Sequence, residues 1–295
     1  MEQPIIILGA ARSGTTLIGS IFKEHPDVAY WEEPNFVWKY KTAYLGHDMI
    51  PVKLATEDRR SFIEKNFDSF LNESGKKVFV EKTPANAYRI AYIHKLFPNA
   101  KFIHLIRDGR EVALSARKKW LLQGDANKNN IPSQDKSKFR DLKVRFRKLF
   151  ELNLKDLFFY TPMIVDSLLV DMKLKSYSFW GPRFPGIKVF KNSHTLIETT
   201  AMQWKYAVDI VNCYKKNIKK ENFLEFKYEE FVANPYENTK RLFEFCKLEM
   251  PVDFEKRYGY TKNNKLKWKS ELKRTEIINV ENLIGSSLDM QGYPR

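Results

Sequence analysis

The sequence predicts an α/β protein, a parallel sheet flanked by helices and carrying a mainly helical insertion. Three observations lead there. Short β-branched apolar runs alternate with segments of helical periodicity, the pattern of strands covered by helices. The first run ends in a glycine-spaced turn that opens a helix, and one long segment, 121–185, interrupts the alternation.

Residues 4–8 form the first apolar run and stop at Gly9; from Thr15 the apolar positions Leu17, Ile18, Ile21 and Phe22 have helical spacing. A short extended stretch follows and carries Glu32 and Glu33. Phe62, Ile63, Phe67, Phe70 and Leu71 then mark a helix, 77–80 a second strand, and Ile90 to Leu96 another helix. Residues 101–106 give a third strand, broken by Arg107-Asp108-Gly109-Arg110 before a helical segment over 111–120. The insertion begins with a polar stretch, 125–138, and contains Trp180 and Phe184, aromatics suited either to an acceptor cleft or to core packing. A long helix is expected over 195–219 and a strand over 223–226. Asn234-Pro235-Tyr236-Glu237 then supplies a cap residue, a proline at the first helical position and an early acid. Residues 275–288 read as a terminal helix with Ile277, Ile278 and Ile284 on its apolar side.

A chain of 295 residues, 43% hydrophobic, buries a full core, and no Gly/Pro-rich linker or repeat divides it, so one domain over 1–295 is expected. Cys213 and Cys246 have neither metal-ligand nor disulfide-framework spacing. The N-terminus lacks the pattern of a secretory signal. The longest apolar stretch, 157–170, contains Pro162 and Asp166 and is too short to span a bilayer, so the expectation is a soluble, cytoplasmic protein. A net charge of +15 favours polyanionic partners in general without choosing among nucleic acid, acidic lipid and charged nucleotides.

Residues 9–16, Gly-Ala-Ala-Arg-Ser-Gly-Thr-Thr, follow the first strand in the Gly-x4-Gly spacing of a phosphate-cradling, P-loop-like turn. Glycines let the backbone close around an oxyanion. The N–H groups of the loop and helix N-terminus face it, and Ser13, Thr15 and Thr16 add hydroxyls. A nucleoside-triphosphate loop carries lysine after the second glycine, but here Thr15 stands there, and the cation is Arg12 inside the loop. A ligand-free strand-to-helix turn explains the glycines alone. The whole combination suits an anion transferred without triphosphate chemistry.

Arg12-Ser13-Gly14-Thr15-Thr16-Leu17 resembles the arginine version of the 5′-phosphosulfate loop of the sulfotransferase superfamily, as in tyrosylprotein sulfotransferases and many bacterial sulfotransferases. His25-Pro26-Asp27-Val28, Glu32-Glu33, Glu81-Lys82-Thr83-Pro84, Leu96-Phe97-Pro98-Asn99-Ala100-Lys101-Phe102 leading into Arg107 and Ser115, Tyr228-Glu229 and Trp268-Lys269 follow in that branch's order. The resemblance implies a single-domain enzyme that moves a sulfuryl group, without metal, from 3′-phosphoadenosine 5′-phosphosulfate (PAPS) to an acceptor hydroxyl, leaving adenosine 3′,5′-bisphosphate. It covers most of the chain except 121–185, which is expected to shape the acceptor pocket.

Within that expectation, Ser13, Gly14, Thr15, Thr16 and Arg12 hold the phosphosulfate, and Arg12 meets charge developing on the bridging oxygen. Arg107, at a strand end, and Ser115, two helical turns on, are placed to hold the 3′-phosphate. The resemblance gives Lys82 the role of stabilising the transferring group; a surface lysine is the alternative. Tyr228 either stacks on adenine or packs under the sheet, Trp268 and Lys269 either close over the nucleotide or pin the C-terminal helix, and Asp108 and Arg110 read equally as a surface ion pair. The basic-plus-glycine lid of cytosolic relatives has no match, since Thr261-Lys262-Asn263-Asn264 lacks glycine.

Glu33 is the candidate general base. Pro84 follows Lys82-Thr83 where the cytosolic branch has a histidine, and the arginine-type branch has its base at the second glutamate; a carboxylate serves if burial or a neighbouring carboxylate raises its pKa, and the alternative is that Glu32 and Glu33 are exposed loop charges before Pro34. His25 and His104 are the fallback bases. A P-loop small-molecule kinase is the alternative enzyme, with Thr15 against it. A nucleic-acid binder rests on charge alone and ranks last. The acceptor class stays open among sugar, phenol, peptide tyrosine and lipid alcohol.

Overall fold

The computed structural model describes residues 1, 3–128, 179–251 and 266–295. Five strands, β1 (Ile5–Leu8), β2 (Val28–Glu32), β3 (Val78–Lys82), β4 (Lys101–Ile106) and β5 (Phe223–Lys227), form one sheet in the order β2-β3-β1-β4-β5. Every pairing is parallel. Alternation along the central strands explains the burial of both faces. Ile6 and Leu8 enter one core cluster and Ile5 and Ile7 the other, while in β4 Phe102 and Ile106 oppose Ile103 and Leu105.

On the first face pack α3 (Glu57–Ser74), α4 (Ile90–Leu96), α5 (Gly109–Lys128), α7 (Leu196–Tyr214) and α11 (Arg274–Met290). The second face is covered by α1 (Thr15–Glu24), α8 (Tyr228–Ala233) and α9 (Pro235–Cys246). Short helices α2 (Asn35–Trp38), α6 (Ile187–Ser193) and α10 (Trp268–Glu271) sit in the connections. Thr195 starts α7 with a capping box: its hydroxyl accepts from the Glu198 amide, and the Glu198 carboxylate accepts from the Thr195 amide at 2.7 Å.

The structure departs from the expected elements in four places. The stretch before Glu33 is the edge strand β2, whose Glu32 pairs in register with Lys82. Helix α5 runs on to Lys128, so the start of the predicted insertion continues a helix; residues 129–178 of it lie outside the described residues, as does 261–264. The predicted helix 195–219 stops at Tyr214, and a 3-10 turn at Lys215–Asn217 lets Ile218 pack inward before the chain enters β5. On α11, Ile284 is buried but Ile278 is 48% exposed, with Val280 and Leu288 completing the packed stripe. Among the described residues no helix is long and apolar enough to cross a membrane.

Candidate active site

Parallel pairing brings all five strand C-termini to one edge, and the sequence-predicted residues collect there: the Gly9 loop after β1, Glu32 and Glu33 at the end of β2, Lys82 on β3, Arg107 after β4 and Tyr228 after β5. Ligands of open parallel sheets bind at this edge. Two glycines are needed for the loop to pass. A Cβ on Gly9 would lie 2.7 Å from the Leu105 carbonyl oxygen, and Gly14, at φ 100°, would set one 2.4 Å from Tyr228 Cδ2. Among the described residues no side chain caps helix α1; Leu17 N–H turns back to the Gly14 carbonyl at 2.8 Å, and the N–H groups of Thr15 and Thr16 are the ones left for an anion. Ser13 is fully buried and its hydroxyl donates to the Ala10 carbonyl at 2.7 Å. It closes the loop, and the hydroxyls left for a ligand are those of Thr15 and Thr16.

Arg12 joins two halves of the site. On one side its Nε donates to Ser115 Oγ at 3.1 Å, and Arg107 Nη1 reaches the Arg12 carbonyl at 3.5 Å. The Arg107 guanidinium lies 4.3 Å over the Tyr228 ring with Nη2 3.5 Å from Glu111 Oε1, and among the described residues its buried Nε has no hydrogen-bond partner. Tyr228 therefore packs between the loop and Arg107. An orphaned buried guanidinium N–H fits a phosphate group, and Ser115 is tied to the same loop through Arg12.

On the other side, Arg12, Thr15 and Thr16 share a cavity of about 290 Å³ with Glu33, Lys82, Asn35, Asp48, Thr83 and Trp180. The Lys82 side chain is 2% exposed, which sets aside the surface-lysine reading; its Nζ lies 2.8 Å from Glu33 Oε1 and 3.1 Å from Glu32 Oε1. Burial works against the ammonium, but the Glu33 and Glu32 carboxylates outweigh it and hold the Lys82 pKa above the ordinary lysine value. The Glu33 side chain is 45% exposed, as the loop-charge alternative has it, because it stands beyond the last paired residue of an edge strand. Its amide still donates to the Lys82 carbonyl at 2.8 Å, and its φ of 53° is in the left-handed region.

The remaining candidates are structural. His104 is fully buried in β4, its pKa lowered by burial, and its Nδ1 lies 2.9 Å from Glu225 Oε2. His25 is buried at the far end of α1, against the Glu249 carbonyl and the Asp27 amide. Neither faces the cavity. Asp108 and Arg110 are a buried pair, not a surface one: both are about 2% exposed, and Arg110 also bonds Glu281 and the Pro294 carbonyl while lying 4.0 Å over Trp268. Arg110 thus ties the turn after β4 to the C-terminal helix through Glu281, with Trp268 stacked on it and its amide donating to Glu111 Oε2 at 3.1 Å. Phe184 packs in the core against Tyr206, whereas Trp180 does line the cavity.

Beneath the cavity lies a polar layer that no motif announced. Glu81, fully buried in β3, accepts from Thr83 and Asn86, and burial pushes its pKa up to about 7 against the neighbouring Arg89 and Lys82 charges. Arg89, 1% exposed, donates to Asn86 Oδ1 and Asn35 Oδ1, each at 2.8 Å. Thr83 lay within a quoted motif and Asn35 two residues past Glu33; Asp48 carried no signal.

The fold is an open parallel sheet, and its site sets an anion-suited loop and a lysine–carboxylate pair on either side of one arginine. The model of the sulfotransferase family matches residues 4–152, half of the chain, and the chain belongs to that family. Nodulation protein NoeE of Sinorhizobium fredii is 30% identical over 129 residues, 39% of this chain and 31% of that protein. Human protein-tyrosine sulfotransferase 1 is 25% identical over 164 residues, 51% of this chain and 41% of that one. The match thus spans less than half the length of either relative. The crystal structure of sulfotransferase STF9 from Mycobacterium avium shares the fold, with a TM-score of 0.53 at 15% identity, covering 98% of this chain and 76% of that one.

Proposed function

We propose that the chain transfers a sulfuryl group from PAPS to an acceptor hydroxyl, in line and without metal, with Glu33 as general base. The observation that carries the reading is the position of Arg12: it touches Ser115 on the nucleotide side and lines the cavity that holds Lys82 and Glu33. Arg107 and Ser115 hold the 3′-phosphate. The α1 N-terminus, Thr15 and Thr16 hold the 5′-phosphosulfate, and Gly14 and Ser13 shape the loop. Tyr228 supports Arg107 from below.

As the acceptor oxygen bonds to sulfur, the sulfur–bridging oxygen bond breaks and its electron pair leaves on the 5′-phosphate. Arg12 and Lys82 face that developing charge. Glu33 Oε1 holds Lys82, which leaves Oε2 to take the acceptor proton. A kinase reading has no support in the loop, because Thr15 occupies the position of the triphosphate-binding lysine.

Thermal unfolding tests the nucleotide assignment. Adenosine 3′,5′-bisphosphate should raise Tm in EDTA by mass action, AMP should do so less, and ATP with Mg²⁺ should not surpass it. Equal shifts from AMP and the bisphosphate would remove Arg107 and Ser115 from the 3′-phosphate role.

A further inference from the structure

We infer that the acceptor is a saccharide, gripped through a second hydroxyl by Asn35 and Asp48 with Trp180 against the ring. The inference rests on the proposed sulfuryl transfer and names the acceptor class for that same cavity.

The argument begins with the direction in which Asn35 is locked. Its Oδ1 accepts from Arg89 Nη2 at 2.8 Å, and a guanidinium can only donate. Arg89 is itself fixed through Nε to Asn86 Oδ1, so the amide of Asn35 cannot flip without facing donor to donor. Its two Nδ2 protons are the end left for a ligand, and Asn35 lines the cavity.

Asp48, 4% exposed and lining the same cavity, is the complementary group. Lys39 Nζ lies 2.8 Å from its Oδ1, and the Arg183 amide donates to its Oδ2 at 2.7 Å. Burial disfavours the charge, but Lys39 and Arg89 prevail and hold the Asp48 pKa below the ordinary carboxylate value, so at neutral pH it is an acceptor only. A carboxylate has about four acceptor positions, and two are taken. The wall therefore offers fixed donors and a fixed acceptor together, which suits a hydroxyl, a group that gives one hydrogen bond and takes others.

A polyol presents hydroxyls beside its reacting oxygen; a phenol or an alkyl alcohol presents C–H edges. Set against Asn35 and Asp48, those edges would leave desolvated polar groups without partners. Sites built to bond a hydroxyl reject analogues that lack it by up to roughly 10⁴-fold. Trp180 supplies the apolar surface that the C–H face of a sugar ring needs, and most of the remaining lining is polar.

The test is transfer of labelled sulfate from PAPS to methyl glycosides, p-nitrophenol, a tyrosine peptide and 1-octanol, for wild type, Trp180→Ala and Asn35→Ser, with the bisphosphate-induced Tm shift measured for each. Wild type should favour at least one methyl glycoside by about 100-fold or more in kcat/KM over the other classes. Both variants should raise glycoside KM at least ~10-fold while keeping the Tm shift and the KM for PAPS. Trp180 accepts from Gln203 Nε2 through its backbone carbonyl, a bond that Trp180→Ala keeps, so that variant is the second reading if Asn35→Ser fails to fold. Preference for the phenol, peptide or alkanol, transfer to none of the glycosides, or unchanged glycoside KM in Trp180→Ala overturns the inference while the nucleotide assignment stands. No Tm shift in wild type overturns that assignment and the inference with it.

Discussion

Arg12 and Glu33 both hold their backbones at positive φ, 77° and 53°, and they are the two residues to which the mechanism gives the leaving group and the acceptor proton. A left-handed conformation costs a non-glycine residue roughly 1 kcal/mol or more, and such strain persists where the surroundings over-determine it. Here Ser115 ties down the Arg12 side chain, while the Lys82 carbonyl and ammonium hold Glu33 at both ends. Arg12→Ala should lower turnover on the order of 100-fold while leaving most of the bisphosphate-induced Tm shift, because the guanidinium faces charge that develops only during transfer. Near-normal kcat in steady-state assays would take Arg12 out of that role. Glu81 gives a second residue-scale prediction. Its folded pKa, raised by burial to about 7, exceeds the ordinary value, so its contribution to stability is fully present below about pH 4.5 and is lost as pH rises through 7. Urea unfolding of wild type and Glu81→Gln should therefore diverge between roughly pH 5 and 8, with the variant gaining up to about 3 kcal/mol relative to wild type over that window. A parallel pH dependence in the two proteins would mean that Glu81 is ionised throughout.

At the scale of elements, the loop and the clamp behind it carry separate predictions. Gly14→Ala puts a methyl group 2.4 Å from the Tyr228 ring at a φ that suits glycine, so the variant should lose the bisphosphate Tm shift as the loop opens. Asp108→Asn removes one of the two carboxylates that face the buried Arg110 and leaves Glu281 as its partner, so the loss should be that of a charge-assisted hydrogen bond, roughly 1.5–3 kcal/mol, measurable by urea unfolding. The same elements show what the sequence carries. The Gly9 loop, β4 with Arg107, and β5 with Tyr228 were legible because each is a short apolar run ended by residues of unlike chemistry. Edge strand β2 was not, since Val28-Ala29-Tyr30-Trp31-Glu32 lacks period-2 alternation and its pairing with β3 is a long-range fact. For the same reason the sequence leaves Lys82 open between surface and site: its surroundings depend on two glutamates from the end of another strand. The Asn35–Arg89–Asn86–Glu81 layer lay beyond local pattern altogether, because its bonds join residues on three elements.

For the whole molecule, parallel pairing sets the site: one sheet order sends every strand end, and with it the Gly9 loop, Glu33, Lys82, Arg107 and Tyr228, to a single edge. The net charge of +15 then acts on a multiply anionic nucleotide at long range, so the bisphosphate Kd should rise as salt is raised from about 0.05 to 0.5 M, where the Debye length shortens several-fold. On the proposed reading this edge performs metal-free sulfuryl transfer with Glu33 taking the proton. Release of adenosine 3′,5′-bisphosphate from PAPS, measured in EDTA with and without a pool of glycoside, phenol, peptide and alkanol acceptors, for wild type and Glu33→Gln, tests it directly. Acceptor-dependent release by wild type, falling by on the order of 100-fold or more in Glu33→Gln while nucleotide binding is kept, is the predicted result; acceptor-dependent release that persists undiminished in Glu33→Gln, or that requires a divalent metal, would contradict it.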